Sequence, residues 1–335
     1  MRRFLKKTLL FLSPIIIGFI GLLFSDAFKV YGTYEDYYDD SFITMNRGVI
    51  TYRIFQKNND QHNYNSFIFG NSRSQAFKCT DWKKYLDENA EPFHFDGSNE
   101  GLYAIHKKIK FLDEIGNNLD NALFIFDRKL LTGISAPEGH LYQLDPELDK
   151  GSKVKFHGTF IKAQLDLKFL IAYYDYKLFR THRGYMDYII RKSKYVDRGD
   201  SITGDLYYGY DEHIKSDSLD FYNLANSKGI FYKRPRPKSW ISWVSKEEIK
   251  MLLDIREIFD KNNTDYRIVI APIYDQIPME DTQLQLLNEI FEPSRIFNYS
   301  GINDYTNDVS NYYESSHFRP HVARKILQEI YPIKE

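Results

Sequence analysis

The sequence predicts an α/β protein built in three layers, a mostly parallel sheet flanked by helices. Short apolar runs ending at Gly or Pro alternate along the chain with segments in which apolar residues recur every three or four positions. Strands separated by helices are joined in parallel by right-handed crossovers, which cover both faces of the sheet. At 335 residues, 43% hydrophobic and 27% charged, the chain is long enough for one substantial core with an insertion, or for two small domains.

At the N-terminus, Arg2, Arg3, Lys6 and Lys7 precede an uncharged stretch from Thr8 to Ser25 rich in Leu, Ile and Phe. Residues 8–25 read as a transmembrane anchor near the lower end of the roughly 17–25 residues that span hydrocarbon. Residues 1–7 are then a cytoplasmic basic tail, and everything after the anchor is periplasmic or at the cell surface. A cleaved signal peptide is the rival, but the small-x-small pattern expected before a cleavage site is poor around Phe24-Ser25-Asp26-Ala27. A buried core helix fits badly, because such a helix rarely lacks a polar stripe for so long. Residues 26–62, polar and tyrosine-rich, read as a juxtamembrane stalk leading into a domain over 63–335.

That domain opens with Ser66-Phe67-Ile68-Phe69, a strand ending at Gly70, and a helix expected from Ser74 to Leu86. Leu102, Ile105, Ile109, Leu112 and Ile115 mark the next helix, and Ala122 to Phe126 the next strand. Further on, Ile249, Leu252, Leu253, Ile255, Ile258 and Phe259 mark an amphipathic helix, and Tyr266 to Ala271 a buried strand stopped by Pro272. A short strand at Arg295 to Tyr299 and a helix carrying Val322, Ile326, Leu327 and Ile330 close the chain.

Between about residues 130 and 245 the alternation lapses, which reads as a largely helical insertion with a helix-like stretch from Leu165 to Tyr195. Its Tyr173, Tyr174, Tyr176, Tyr207, Tyr208 and Tyr210 suit either partly buried packing or a surface on which sugars stack. Lys233-Arg234-Pro235-Arg236-Pro237-Lys238 reads as a solvated, proline-stiffened loop able to meet anionic polymer or lipid headgroups.

Composition excludes several classes. A formal net charge of −1 supplies no global field for nucleic acid. A single cysteine, Cys79, excludes an internal disulfide and any Cys-based structural zinc site. His-Glu-x-x-His, Walker-type and Gly-x-Gly-x-x-Gly patterns are missing, so neither a metal nor a nucleotide cofactor is expected. His317 and His321 are four apart with Glu314 near, but Pro320 sets His317 outside the helix that carries His321.

The chemistry-bearing residues lie at the two ends of the domain. A serine becomes a nucleophile when a tight turn after a strand exposes its hydroxyl, an imidazole takes its proton and a carboxylate orients that imidazole. Gly70-Asn71-Ser72 follows the first strand, and the helix expected near Ser74 would aim its N–H groups at a developing oxyanion. Glu314-Ser315-Ser316-His317 precedes the last helix, where the carboxylate can fold back onto Nδ1 and leave Nε2 for Ser72. Each motif alone is common; together they are informative.

The pair resembles the SGNH (GDSL-like) hydrolases, which have Gly-Asp-Ser after the first strand and Asp-x-x-His before the last helix. Ser316-His317-Phe318-Arg319-Pro320 also looks like bacterial membrane-anchored members linked to acylation of cell-surface polysaccharide or teichoic acid. The resemblance covers the domain outside the insertion. It implies Ser72 as nucleophile, His317 as general base and Glu314 as its orienting carboxylate. Phe95-Asp96-Gly97-Ser98-Asn99-Glu100-Gly101 resembles the family's second block, making Gly97 with Ser72 the oxyanion donors; a turn capping the next helix is the other reading of that segment.

Three departures qualify the likeness. Asn71 and Glu314 stand where the family has Asp. The family's third block usually supplies an Asn donor, whereas here Asp127-Arg128 follows the strand. Ionised Asp127 cannot donate, and losing one oxyanion donor costs about 2.7–4 kcal/mol; either Arg128 substitutes or the activity is slow or specialised. The sequence-level expectation is a membrane-anchored serine esterase or acyltransferase on acylated cell-surface polysaccharide. The alternative is a non-catalytic accessory that binds polymer or docks a membrane-bound O-acyltransferase.

Overall fold

The computed structural model describes every residue except 2, 5, 9, 14–20, 22–24, 128, 129, 132, 192–196, 235–242 and 332–335. Nine strands follow one another among these residues: β1 (Ser66–Phe69), β2 (Pro92–His94), β3 (Asn121–Phe126), β4 (Arg198–Gly199), β5 (Leu206–Tyr207), β6 (Asp265–Ile270), β7 (Ile296–Asn298), β8 (Tyr312–Glu314) and β9 (His317–Phe318). Five form the central sheet in the order β2-β1-β3-β6-β7, and every pairing in it is parallel. β4 with β5 and β8 with β9 are small antiparallel pairs outside it.

Because successive side chains of a strand point to opposite faces, the apolar runs feed two cores. Phe67, Phe69, Phe124, Phe126, Ile268 and Ile270 enter one; Ile68, Leu123, Ile125, Val269 and Ala271 enter the other. The first is closed by helices Arg47–His62, Leu102–Glu114 and Lys246–Asn262. The second is closed by Phe77, Trp82 and helix Pro320–Ile330, which buries Val322, Ala323, Ile326, Leu327 and Ile330 on one face. The three layers are those the alternation predicts. Local signals set the helix ends: a Ser245–Glu248 capping box starts one helix, left-handed Asn263 ends it, and Pro320 occupies the first turn of the last.

Four expectations are corrected. Residues 26–62 are part of the globular body and not a stalk: Phe28, Tyr37 and Ile43 are buried, and helix Arg47–His62 packs Val49, Ile50, Tyr52, Ile54 and Phe55 against the sheet. Tyrosines that count as polar bury their rings and need a partner only for the hydroxyl; Tyr52 donates to Glu147 Oε2 at 2.8 Å. The helix expected from Ser74 to Leu86 is broken into a 3₁₀ turn Ser72–Ala76, a short helix Cys79–Trp82 and a second 3₁₀ turn Lys83–Tyr85. Asn71 caps the start of the first turn, and the break itself falls at Phe77 and Lys78, whose backbones are extended.

In the insertion, the stretch from Leu165 is α-helical over Leu167–Phe179, where left-handed Arg180 stops it, and among the described residues up to Arg191 the only helical turn that follows is 3₁₀, Gly184–Met186. The last correction is a strand the sequence reading passed over, β2, a run too short for a period to show. Among the described residues no helix is long and apolar enough to cross a membrane. Most of the anchor expected over 8–25, and Pro235 to Lys238 of the basic loop, lie outside the described residues.

Candidate active site

Ser72 stands just past β1, where the strand order reverses: β2 lies on one side of β1 and β3 on the other. Open α/β sheets collect ligands at the carboxyl ends of strands beside such a reversal. Gly70 makes the turn possible, since a Cβ there would lie 2.8 Å from Ser74 Cβ and 3.1 Å from the Ile125 carbonyl. Asn71 then fastens it, accepting the Arg73 N–H at 3.1 Å and donating to Asp127 Oδ2 at 2.7 Å. Ser72 is left half-buried at the rim.

Glu314 and His317, expected in a loop, instead face each other across the β8–β9 hairpin, which carries an irregularity between Tyr312 and Glu314. Glu314 Oε1 is hydrogen-bonded to His317 Nδ1, and its Oε2 accepts the Ser316 N–H at 2.8 Å. His317 Nε2 is 2.8 Å from Ser72 Oγ. Burial works against a charged Glu314, but the bond and charge of His317, the Ser316 N–H and Arg73 outweigh it and hold the carboxyl below its usual range. Side chains 245 positions apart thus form one hydroxyl–imidazole–carboxylate chain. Such a chain can move the Ser72 proton to Nε2 while the carboxylate keeps a proton on Nδ1.

The oxyanion side differs from expectation. Among the described residues nothing accepts the Ser72 N–H, so it is free to meet an oxyanion. The Gly97 N–H is instead given to the Gly70 carbonyl at 3.4 Å. Gly97 is small for another reason: a Cβ would fall 2.0 Å from Glu100 Oε1, whose carboxylate pairs with Lys108 at 2.6 and 2.8 Å. Asp127 accepts from Asn71, from Arg73 at 2.5 Å and from the Leu130 N–H at 3.1 Å, so it serves as an acceptor that steadies the turn. Arg128, the substitute donor, lies outside the described residues.

Sequence reasoning missed the support beneath the imidazole. The Tyr208 ring meets the His317 ring edge-on at 5.8 Å, and its hydroxyl donates to Gln75 Oε1. Gln75 donates to Asp96 Oδ2 at 2.8 Å, and Asp96 pairs with Arg47 at 2.7 Å. No spacing in the sequence signals these contacts. Tyr208 packs against Tyr313 and Tyr173 is buried against Phe42 and Phe169, so for these two the packing alternative holds, while Tyr210, which also meets Tyr313, is 46% exposed. His321 is bonded to Asn311 Oδ1 at 2.7 Å.

A cavity of about 250 Å³ begins at Asn71 and Arg73. Through Ser135, Ala136 and Pro137 it adjoins a cleft of about 1150 Å³ that holds Tyr103, Phe169, Lys155 and Lys162. Fold and site together define an α/β protein with a Ser–His–Glu chain at the carboxyl edge of its sheet. No protein-family model matches the chain, and no curated protein matches it.

Proposed function

We propose that the chain is an SGNH-like serine esterase or acyltransferase, anchored in a membrane through residues 8–25, that acts on acyl groups of extracytoplasmic carbohydrate. The observation that carries this reading is the 2.8 Å contact of Ser72 Oγ with His317 Nε2, with Glu314 on the other ring nitrogen. The strand order β2-β1-β3-β6-β7 supports it, being that of flavodoxin-like sheets.

In this mechanism His317 takes the Ser72 proton as Oγ attacks the ester carbonyl. The Ser72 N–H receives the oxyanion, and Gly97 joins it only if its long bond to Gly70 opens. His317 then protonates the departing oxygen, leaving acyl-Ser72. Water or a sugar hydroxyl, deprotonated by the same ring, releases the acyl group; hydrolysis and transfer share every step up to that choice. The cleft of about 1150 Å³, which adjoins the cavity at Asn71 and Arg73 but is not itself lined by Ser72 or His317, has rings as well as polar groups and room for the part of a carbohydrate chain beyond the acyl unit.

A fluorophosphonate ester tests the reading. Wild type should be labelled at Ser72, and Ser72→Ala should lose all labelling with an unchanged unfolding midpoint; a variant labelled at the wild-type rate refutes the assignment. The second reading is a non-catalytic accessory that holds polymer or docks a membrane-bound O-acyltransferase. It is favoured by the oxyanion side, where Gly97 is engaged with Gly70 and Asp127 offers only acceptors.

A further inference from the structure

A second Ser–His–Asp chain lies directly beneath the first. Ser74 Oγ is 2.9 Å from His94 Nε2, and His94 Nδ1 is 3.0 Å from Asp205 Oδ1. The residue types and the order of contacts match those around Ser72, yet all three side chains are fully buried, so no substrate reaches them. Proton direction differs as well. Ser74 has one hydroxyl proton, and it goes to the Asn71 carbonyl at 2.8 Å, an atom that can only accept. The Ser74–His94 bond therefore takes its proton from Nε2. At Ser72 the same ring nitrogen must be bare to receive the serine's proton.

What the buried chain holds is backbone. The Asn71 carbonyl also accepts the Ser74 N–H at 2.9 Å, so both Ser74 bonds close on the peptide that joins Asn71 to Ser72. His94 ends β2, and its own N–H is bonded to the Thr203 carbonyl at 2.8 Å. Asp205 leads into β5 of the insertion, and its carboxylate takes the Cys79 N–H at 3.0 Å. The β4–β5 hairpin is thereby tied to both ends of the segment 71–79.

We propose that Asp205 and His94 are positioning residues for Ser72: through Ser74 they fix the Asn71–Ser72 peptide and so aim Oγ at His317 and the Ser72 N–H at the oxyanion. The hairpin of the insertion is then part of the frame of the active site. This rests on the reading of Ser72 as nucleophile, and the two fail separately.

The test uses the full chain and diisopropyl fluorophosphate. Wild type that is not modified at Ser72 overturns the nucleophile reading itself, before any variant is compared. With wild type labelled, Ser74→Ala should lower the rate constant at saturating reagent by about 10- to 100-fold, the scale expected for a misplacement of about 1 Å, with the half-saturating concentration unchanged. His94→Gln, whose amide can still donate to Ser74, should fall between that variant and wild type. Equal rates for Ser74→Ala and wild type overturn the positioning role. Should Ser74→Ala not fold, ¹⁵N NMR of the wild-type His94 ring decides: protons on both Nε2 and Nδ1, one for Ser74 and one for Asp205, support the proposal, and a bare nitrogen at either position overturns it.

Discussion

Replacing Glu314 by Gln changes charge and acceptor count at almost constant volume, and so isolates the part of the carboxylate. Both Glu314 oxygens accept, Oε1 from the His317 Nδ1–H and Oε2 from the Ser316 N–H at 2.8 Å. An amide offers one accepting oxygen and one donating nitrogen. With its oxygen toward His317, the nitrogen is driven against the Ser316 N–H. With its oxygen toward Ser316, the nitrogen donates to Nδ1, and the ring proton moves to Nε2, where it blocks transfer from Ser72. The same wrong-tautomer fault in a serine-protease triad costs about 10⁴ in rate. Glu314 and His317 are 28% and 27% exposed, so water eases the conflict. The expected loss is about a thousandfold, or about 4 kcal/mol at about 1.36 kcal/mol per decade. The assay is the second-order rate of Ser72 labelling by a fluorophosphonate ester, with thermal unfolding as the control. Labelling of folded Glu314→Gln within about tenfold of wild type would refute the idea that the carboxylate sets the tautomer of His317.

Two further outcomes are expected. Gly97→Ala places a Cβ 2.0 Å from Glu100 Oε1 and displaces a buried ion pair with Lys108, costing about 3 kcal/mol in urea unfolding; wild-type stability would show that Glu100 repacks freely. Burial, then the charges of Arg319, Lys325 and Arg324, lowers His321 from 6.5 to about 4. The folded state prefers the neutral ring, so this contribution is complete above pH 6.5 and is lost as pH falls towards about 4. His321→Gln should therefore show a shallower loss of stability than wild type across that window, and parallel stability curves would refute it.

Local periodicity made four of the five sheet strands and helices Leu102–Glu114, Lys246–Asn262 and Pro320–Ile330 legible, because alternation at period two and recurrence at three to four are written in neighbouring residues. Glu314 and His317 were legible as a pair for the same reason: three residues separate them. Gly70 was legible as a turn because the apolar run stops there. The stalk was misread because a tyrosine's polarity says nothing about where its ring goes, and Tyr37 and Tyr52 are both buried. Gly97 was assigned by likeness of its segment, whereas its N–H direction and its neighbour Glu100 are facts of three dimensions.

The sequence by itself determined the layers, the turn after β1 and a histidine with its carboxylate before the last helix. Only the tertiary structure decided that His317 meets Ser72, that Tyr208 backs the imidazole, and that His94 and Asp205 join Ser74 below the turn. The reason is range. Secondary structure follows from torsions and contacts a few residues apart, while these partners are separated by 20 to 245 positions and meet only because the strand order sets which loops share the carboxyl edge of the sheet.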